Sequence, residues 1–321
     1  MIELGYALSS EEHPPVEIVK LARAAEDAGF SFALISDHFH PWTDRQGESG
    51  FVWSMIGAIA HATERLRLGT GVTCPTMRVH PAIVAQAAAT CASLMPGRFF
   101  LGVGTGEALN EHIFADHWPS PQERLAMLEE AVGLIRELWG GDLVSHDGKH
   151  YVVDRARIYS LPNELPPIYV AAAAPDAAEL AGRIGDGLVS TSPEREIVQT
   201  FESAGGGGPR YGQLTVCYAE SEDEAVQTAL EWWPNAALKG PLGQELALPS
   251  MFEASAEMVD EEAIADAVVC GPDADLHRKK IREFEDAGFD HVYIHQVGLD
   301  QDGFMRFYAG EILGAFASAT R

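Results

Sequence analysis

The chain has 321 residues, 46% of them hydrophobic, and a formal net charge of −26 from 48 acidic against 22 basic side chains. That acidity argues against a protein that grips nucleic acid phosphates or anionic membranes, and no apolar run reaches the roughly 18 residues that span a bilayer. The length suits one barrel-type domain acting on a small molecule.

Three sources of the acidity stay open: plain solubility, a salt-rich host, or an acidic face that selects a partner. The start, MIELGYALSSEEHPP, has neither a basic segment nor a signal-like apolar core, so a cytoplasmic location is expected. The four cysteines, Cys74, Cys91, Cys217 and Cys270, are widely spaced and read as buried free thiols.

In chain order, IELGYAL (2–8) predicts a strand and PVEIVKLARAAEDAGF (15–30) an amphipathic helix closed by Gly29. FALIS (32–36) predicts the second strand, 51–63 a helix, 66–73 the third strand, 82–95 a helix and 98–104 the fourth strand. A long helix over 121–141 follows, then strands at 167–173, 187–191, 213–219 and 291–297, with helices between. Eight short apolar strands alternating with helices are the pattern of buried parallel strands. ARAAEDAGFSFALISDH (22–38) is echoed by IREFEDAGFDHVYIHQV (281–297), so similar units open and close the chain. The expected fold is a closed (β/α)8 TIM barrel; an open doubly wound sheet is the alternative, but no strand leads into G-x-G-x-x-G. Two segments break the alternation: LVSHDGKHYVVDRARIY, near 143–160, reads as a hairpin insertion about a D-G turn, and 231–270 as an irregular, partly helical excursion. Neither resembles a linker, so residues 1–321 are expected to form a single domain.

Catalytic groups of such barrels lie at the C-terminal ends of the strands. Glu11 falls after the first strand; Asp37, His38 and Trp42 after the second; Cys74 and Arg78 after the third; Glu107 and Asn110 after the fourth; Thr191 after the sixth; His295 ends the eighth. ISDHFHPWTD (35–44) offers His38 and His40 as an H-x-H pair, which suits zinc in a metal-dependent barrel hydrolase. The remaining ligand positions are thin, and no metal is expected. His38 can instead exchange a proton near neutral pH, or simply satisfy a loop carbonyl. Asp37 can fix geometry, contact a ligand N–H or cap the local backbone. Trp42 can wall a pocket and steady positive charge with its ring face, or staple the barrel end. Glu107 follows a glycine-rich turn where a carboxyl can act as an acid, or can cap the next helix.

With these residues assembled, the chain resembles the luciferase-like class of flavin and deazaflavin oxidoreductases, and within it the F420-dependent glucose-6-phosphate dehydrogenase family. The resemblance runs through nearly the whole chain and is densest in LGYALSSEE (4–12), SDHFHPW (36–42), GTGVTCPTMRVHPA (69–82), GVGTGEALNE (102–111) and AGRIGDGLVSTS (181–192). It implies a TIM barrel, a homodimer and coenzyme F420, with FMN as the alternative cofactor of a monooxygenase. By resemblance His38 is the base that takes the hydroxyl proton, Glu107 a proton donor to the reduced ring, Trp42 a transition-state contact and Glu11 a pocket residue. Asp37, Cys74, Thr105, Gly106 and Asn110 are implied as cofactor contacts. Gly71 and Val72 are implied to carry a non-proline cis peptide against the ring. Ala173, Ala174, Asp176 and Ala177 occupy the cofactor-phosphate position, with alanines where sugar-phosphate members have a double glycine.

Other departures concern the substrate. Thr191 and Glu194 are implied to meet it, but Glu194 stands where sugar-phosphate members carry a lysine, and Asp266 replaces a second lysine. Carboxylates there would repel a phosphate. The expected activity is therefore hydride transfer from a secondary alcohol, sugar or polyol to F420, with glucose 6-phosphate disfavoured.

Overall fold

The computed structural model describes residues 2–115 and 117–316. Four short strands come first: β1 (Glu3–Leu8), β2 (Phe32–Ile35), β3 (Arg67–Thr70) and β4 (Phe99–Val103). A hairpin of β5 (Val144–Asp147) and β6 (Val152–Ala156) precedes β7 (Ile168–Ala171), β8 (Gly187–Ser190) and β9 (Arg210–Cys217). The last two are β10 (Val269–Cys270) and β11 (His291–Gln296). In space β1, β2, β3, β4, β7, β8, β9 and β11 follow one another, and the β8–β9 and β11–β1 pairings close a parallel barrel. The eight expected strands are all present, so the (β/α)8 reading holds.

The internal echo has a structural counterpart. Gly29 and Gly288 end their helices in the left-handed conformation, at φ 105° and 107°, which favours glycine. The chain then turns into β2 and β11, the strands that flank β1. Elsewhere Ser120, Ser221, Asp260 and Asp273 cap their helices through side-chain oxygens.

The hairpin turns at Asp147–Gly148 and pairs antiparallel. Glu130, on the helix Pro121–Leu138, accepts the backbone N–H groups of His150 and Tyr151 and holds it in place. The excursion after β9 contains three short α-helices, Leu242–Glu245, Pro249–Ala256 and Glu261–Ala267, and returns as β10. That two-residue strand was not anticipated. The first residues of β9 pair with β8, whereas Val216 and Cys217 pair with Val269 and Cys270. The excursion thus covers the part of β9 that β8 is too short to reach.

Phe32, Leu34, Phe100, Tyr169, Val189, Tyr211 and Tyr293 form a cluster of their own inside the barrel. The Tyr211 ring lies 5.0 Å from Phe32, 5.3 Å from Phe100 and 5.1 Å from Tyr169. Glycines make room for these rings: a Cβ at Gly69 would lie 1.9 Å from the Phe100 ring. Gly69→Ala is therefore expected to cost roughly 1–3 kcal/mol by overpacking. A thermal melt should show a lower midpoint; an unchanged one would contradict this packing.

Candidate active site

A cavity of about 660 Å³ opens at the C-terminal ends of the barrel strands. Leu34, Val189 and Tyr293 belong both to the interior cluster and to its wall, so the aromatic plug is its floor. The cavity is lined by Glu11, Asp37, His38, Trp42, Glu107 and Asn110. It is also lined by Gly71, Val72, Cys74, Thr105, Gly106, Ala173, Ala174, Asp176, Ala177 and Thr191. Glu194 is the exception: it is exposed, lies outside the lining and accepts a bond from Ser192 at 3.2 Å. Glu194 immediately precedes the helix Arg195–Ser203. Asp266 is likewise exposed on the helix Glu261–Ala267, outside the lining.

His38 is oriented by the backbone. Its Nδ1 lies 3.1 Å from the carbonyl of His40. A carbonyl only accepts, so Nδ1 carries the proton and Nε2 is the free nitrogen of the neutral ring. Nε2 sits 3.4 Å from both Glu11 Oε1 and Glu107 Oε2. Burial pulls the His38 pKa down, but the Glu11 and Glu107 carboxylates outweigh it and leave it above the ordinary imidazole value. Burial pushes Glu11 up, yet His38 and the Ser36 hydroxyl hold it below the ordinary carboxylate range. Glu107 is raised by burial, with His38 opposing. The three groups titrate as a coupled unit, with His38 and Glu107 raised and Glu11 lowered from their ordinary values.

Other side chains support this trio. Ser36 donates to Glu11 Oε2 at 2.5 Å. Asn110 Oδ1 accepts from the N–H groups of Phe39 and His40, and its Nδ2 donates to Glu107 Oε2 at 3.1 Å. Asn110 lines the cavity, but these bonds make it a clamp between the His38 loop and Glu107. The Trp42 ring lies 5.1 Å from the His38 ring and meets Phe252 edge-on from the excursion. Asp37 has its carboxylate engaged by Thr73 at 2.7 Å and Arg78 at 2.8 Å. The reading of Glu107 as a helix cap finds no side-chain capping bond.

One wall suits a flat ring. The Gly71–Val72 peptide is cis. Beside it, a Cβ on Gly104 would meet Val72 at 2.7 Å and one on Gly106 would meet Cys74 at 2.5 Å, so only a smooth backbone surface fits. Cys74 is buried and its thiol is pushed well up by burial, which keeps it neutral. Past β7 the wall continues through Ala171–Ala174 to the helix Pro175–Ile184, whose first intrahelical bond comes from Ala178. The N–H groups of Asp176 and Ala177 precede that bond, an arrangement suited to an anion.

The H-x-H pair does not converge. His40 Nδ1 bonds the Leu109 carbonyl at 2.9 Å, and its ring stacks on His112. Among the described residues no group of three or more His, Cys, Asp or Glu side chains could hold a metal ion. None of their helices is long and apolar enough to cross a membrane.

Several residues escaped sequence reasoning. Glu12, next to Glu11, pairs with His295 at 3.0 Å. Trp233 from the excursion packs edge-on to His295, with ring centroids 4.4 Å apart. Arg124 and Gln244 also line the cavity. Of these only the adjacency of two glutamates gave a signal, and it did not say that they face different partners.

The model of a family described as luciferase-like monooxygenase matches residues 1–291. An F420-dependent glucose-6-phosphate dehydrogenase of Nakamurella multipartita is 38% identical, covering 97% of this chain and 96% of its own. One from Mycobacterium tuberculosis is 36% identical, covering 97% of each. Among solved structures, an F420-dependent secondary alcohol dehydrogenase in complex with an F420–acetone adduct superposes with a TM-score of 0.91. It is 29% identical over 99% of both chains.

Replacing Glu11 by Gln removes the largest of the charges that raise His38 while leaving the burial that lowers it. The His38 titration midpoint in Glu11→Gln is expected to fall, as read from its ring resonances by NMR. An unmoved midpoint would contradict the coupling.

Proposed function

This chain belongs to the luciferase-like monooxygenase family as an F420-dependent oxidoreductase, and we propose that it oxidises the CH–OH group of an uncharged alcohol, sugar or polyol. The observation that carries this reading is His38 Nε2 held 3.4 Å from two carboxyl groups of opposite tendency, Glu11 lowered and Glu107 raised. When bound, the deazaflavin supplies the acceptor for the hydride. The smooth wall at Gly71–Val72 and Gly104–Gly106 suits its ring, and the N–H groups of Asp176 and Ala177 suit its phosphate.

Oxidation of an alcohol to a carbonyl releases one hydride and one proton. The proton goes to His38 Nε2, whose orientation is fixed at Nδ1 by the His40 carbonyl. Ionised Glu11 stabilises the imidazolium that forms, and the Trp42 ring faces it from 5.1 Å. Glu107, whose Oε2 accepts from Asn110, is raised by burial within the same site and so is suited to carry a proton there.

The charge of the cavity supports an uncharged substrate. Arg124 is the one lysine or arginine among its described lining residues; its terminal nitrogens bond the Pro119 carbonyl, Gln244 and Glu245, and its Nε has no partner among the described residues. Glu11, Asp37, Glu107, Glu111 and Asp176 line the same space. A phosphate on the substrate would meet repulsion from these carboxylates with a single, mostly engaged guanidinium to offset it. The relatives named for glucose 6-phosphate share the fold and the family; the substrate reading rests on these side chains and no longer on Glu194 or Asp266.

Titration of the purified protein with F420 and with FMN tests the cofactor: saturable F420 binding is expected, and binding of FMN alone would overturn the reading. His38→Ala should retain F420 affinity while losing about 10²–10⁴-fold in turnover. Full turnover in that variant would rule out His38 as the base. Because the His38 pKa is raised, its base form appears only as pH climbs through that raised value. Alcohol oxidation should therefore increase with pH, with its inflection above the ordinary imidazole value.

A further inference from the structure

Four residues that line the cavity keep a buried polar atom with no hydrogen-bond partner among the described residues: Glu111, Arg124, Ser190 and His295. Each comes from a different element. One of these atoms, Glu111 Oε1, lies 3.5 Å from another unpartnered buried atom, Arg78 Nε. A guanidinium nitrogen thus meets a carboxyl oxygen just outside hydrogen-bonding geometry. Neither residue has a part in the proton transfer described above.

Other atoms of Arg78 are engaged on both sides. Its Nη2 donates to the Asp37 carbonyl at 3.1 Å and to Asp37 Oδ1 at 2.8 Å. Its backbone N–H donates to Glu111 Oε2 at 2.6 Å. Asp37 immediately precedes His38, and the Glu111 backbone N–H donates to the Glu107 carbonyl at 3.1 Å. A continuous path therefore runs from His38 through Asp37, Arg78 and Glu111 to Glu107. Asn110 makes a second link, from the N–H groups of Phe39 and His40 to Glu107. One link grips the chain before His38 and the other grips it after.

The residue at position 78 has to hold two acidic partners from the loop after β3. That loop is itself fixed. The Thr73 hydroxyl donates to Asp37 Oδ2 at 2.7 Å, the Thr73 backbone bridges to β4, and Tyr151 of the hairpin donates to the Thr76 carbonyl at 3.2 Å. A guanidinium carries several donors in a planar fork and stays charged, so it can serve both partners, whereas an ammonium is a single point. The Arg78 and Glu111 side chains are 7% and 1% exposed, so their contact sits where a broken pair is costly. We infer that Arg78, with Glu111 as its anchor, is a positioning residue that sets the separation of His38 Nε2 and Glu107 Oε2. This inference rests on the reading of those two groups as the pair that handles the proton.

His38 is faced by Glu11 from the end of β1 and by Glu107 from the end of β4, with Asp37 beside it, and all three raise its titration midpoint. The test is a double-mutant cycle on the purified protein, read as that midpoint from the His38 ring resonances. In the wild type Glu107→Gln should lower the midpoint. In Arg78→Lys, which keeps the charge and loses the fork, the effect of Glu107→Gln should shrink by about 0.4 pH unit or more, the low end of coupling within one polar network. Glu11→Gln should keep its full effect in both backgrounds, because Glu11 is held by Ser9 and Ser36 and not by Arg78. Glu111→Gln removes the carboxyl oxygen opposite Arg78 Nε at nearly constant size and should give the same selective loss, so it decides the matter if the Arg78 variant folds poorly. An undiminished Glu107→Gln effect in these variants would overturn the inference. So would an equal loss of the Glu107 and Glu11 effects, which marks general loosening. The midpoints are read without substrate, so the clamp is tested apart from alcohol oxidation: if His38→Ala keeps full turnover, the base reading fails while the cycle still reports whether Arg78 sets the pair.

Discussion

The site depends on one hydrogen bond to the backbone. The His40 carbonyl takes the proton of His38 Nδ1 and so decides that Nε2 faces the cavity as a lone pair. That nitrogen then lies equally far from two carboxylates that cannot both be ionised cheaply beside a buried ring. His38 and the donating Ser36 hydroxyl together hold Glu11 below the ordinary carboxylate range, while burial raises Glu107. Asn110 ties the two halves together, since the amide that holds the His38 loop also donates to Glu107. Removing any of these supports changes where the proton rests before it changes the fold.

A second histidine, His295, is built by the same rule with a different result. Glu12 fixes its tautomer and Trp233 its plane, so the two histidines line one cavity from the two strands that flank β1. The adjacent residues Glu11 and Glu12 thus serve two sites. One pairs with the group read here as a base, the other with the second histidine of the cavity wall. The excursion takes part in both: Phe252 backs Trp42, and Trp233 backs His295. A segment that looks incidental to a barrel supplies part of the cavity wall.

Much of this could be read from the residues, and the parts that could not share a cause. Buried parallel strands leave short apolar runs, and glycine in the left-handed conformation ends the helices before β2 and β11, so the barrel was legible. Residues directly after strand ends, such as His38 and Glu107, were placed at the cavity for the same reason. Glu194 and Asp266 lie outside the cavity lining, several residues into a loop and a helix, where no period sets the direction of a side chain. The strand β10, the Glu12–His295 pair and Trp233 depend on how the irregular segment folds back, which hydrophobic periodicity does not record. Ser36 was overlooked because a serine ending a strand looks the same whether or not it holds a carboxylate.

The measurement closest to the central claim is the single-turnover reduction of bound F420 by an alcohol, followed against pH in the wild type and in Glu11→Gln. The account predicts a rate that rises with pH through an inflection above the ordinary imidazole value in the wild type, and an inflection moved to lower pH in the variant. Rates that do not depend on pH, or an inflection that stays in place when the Glu11 charge is removed, would contradict it.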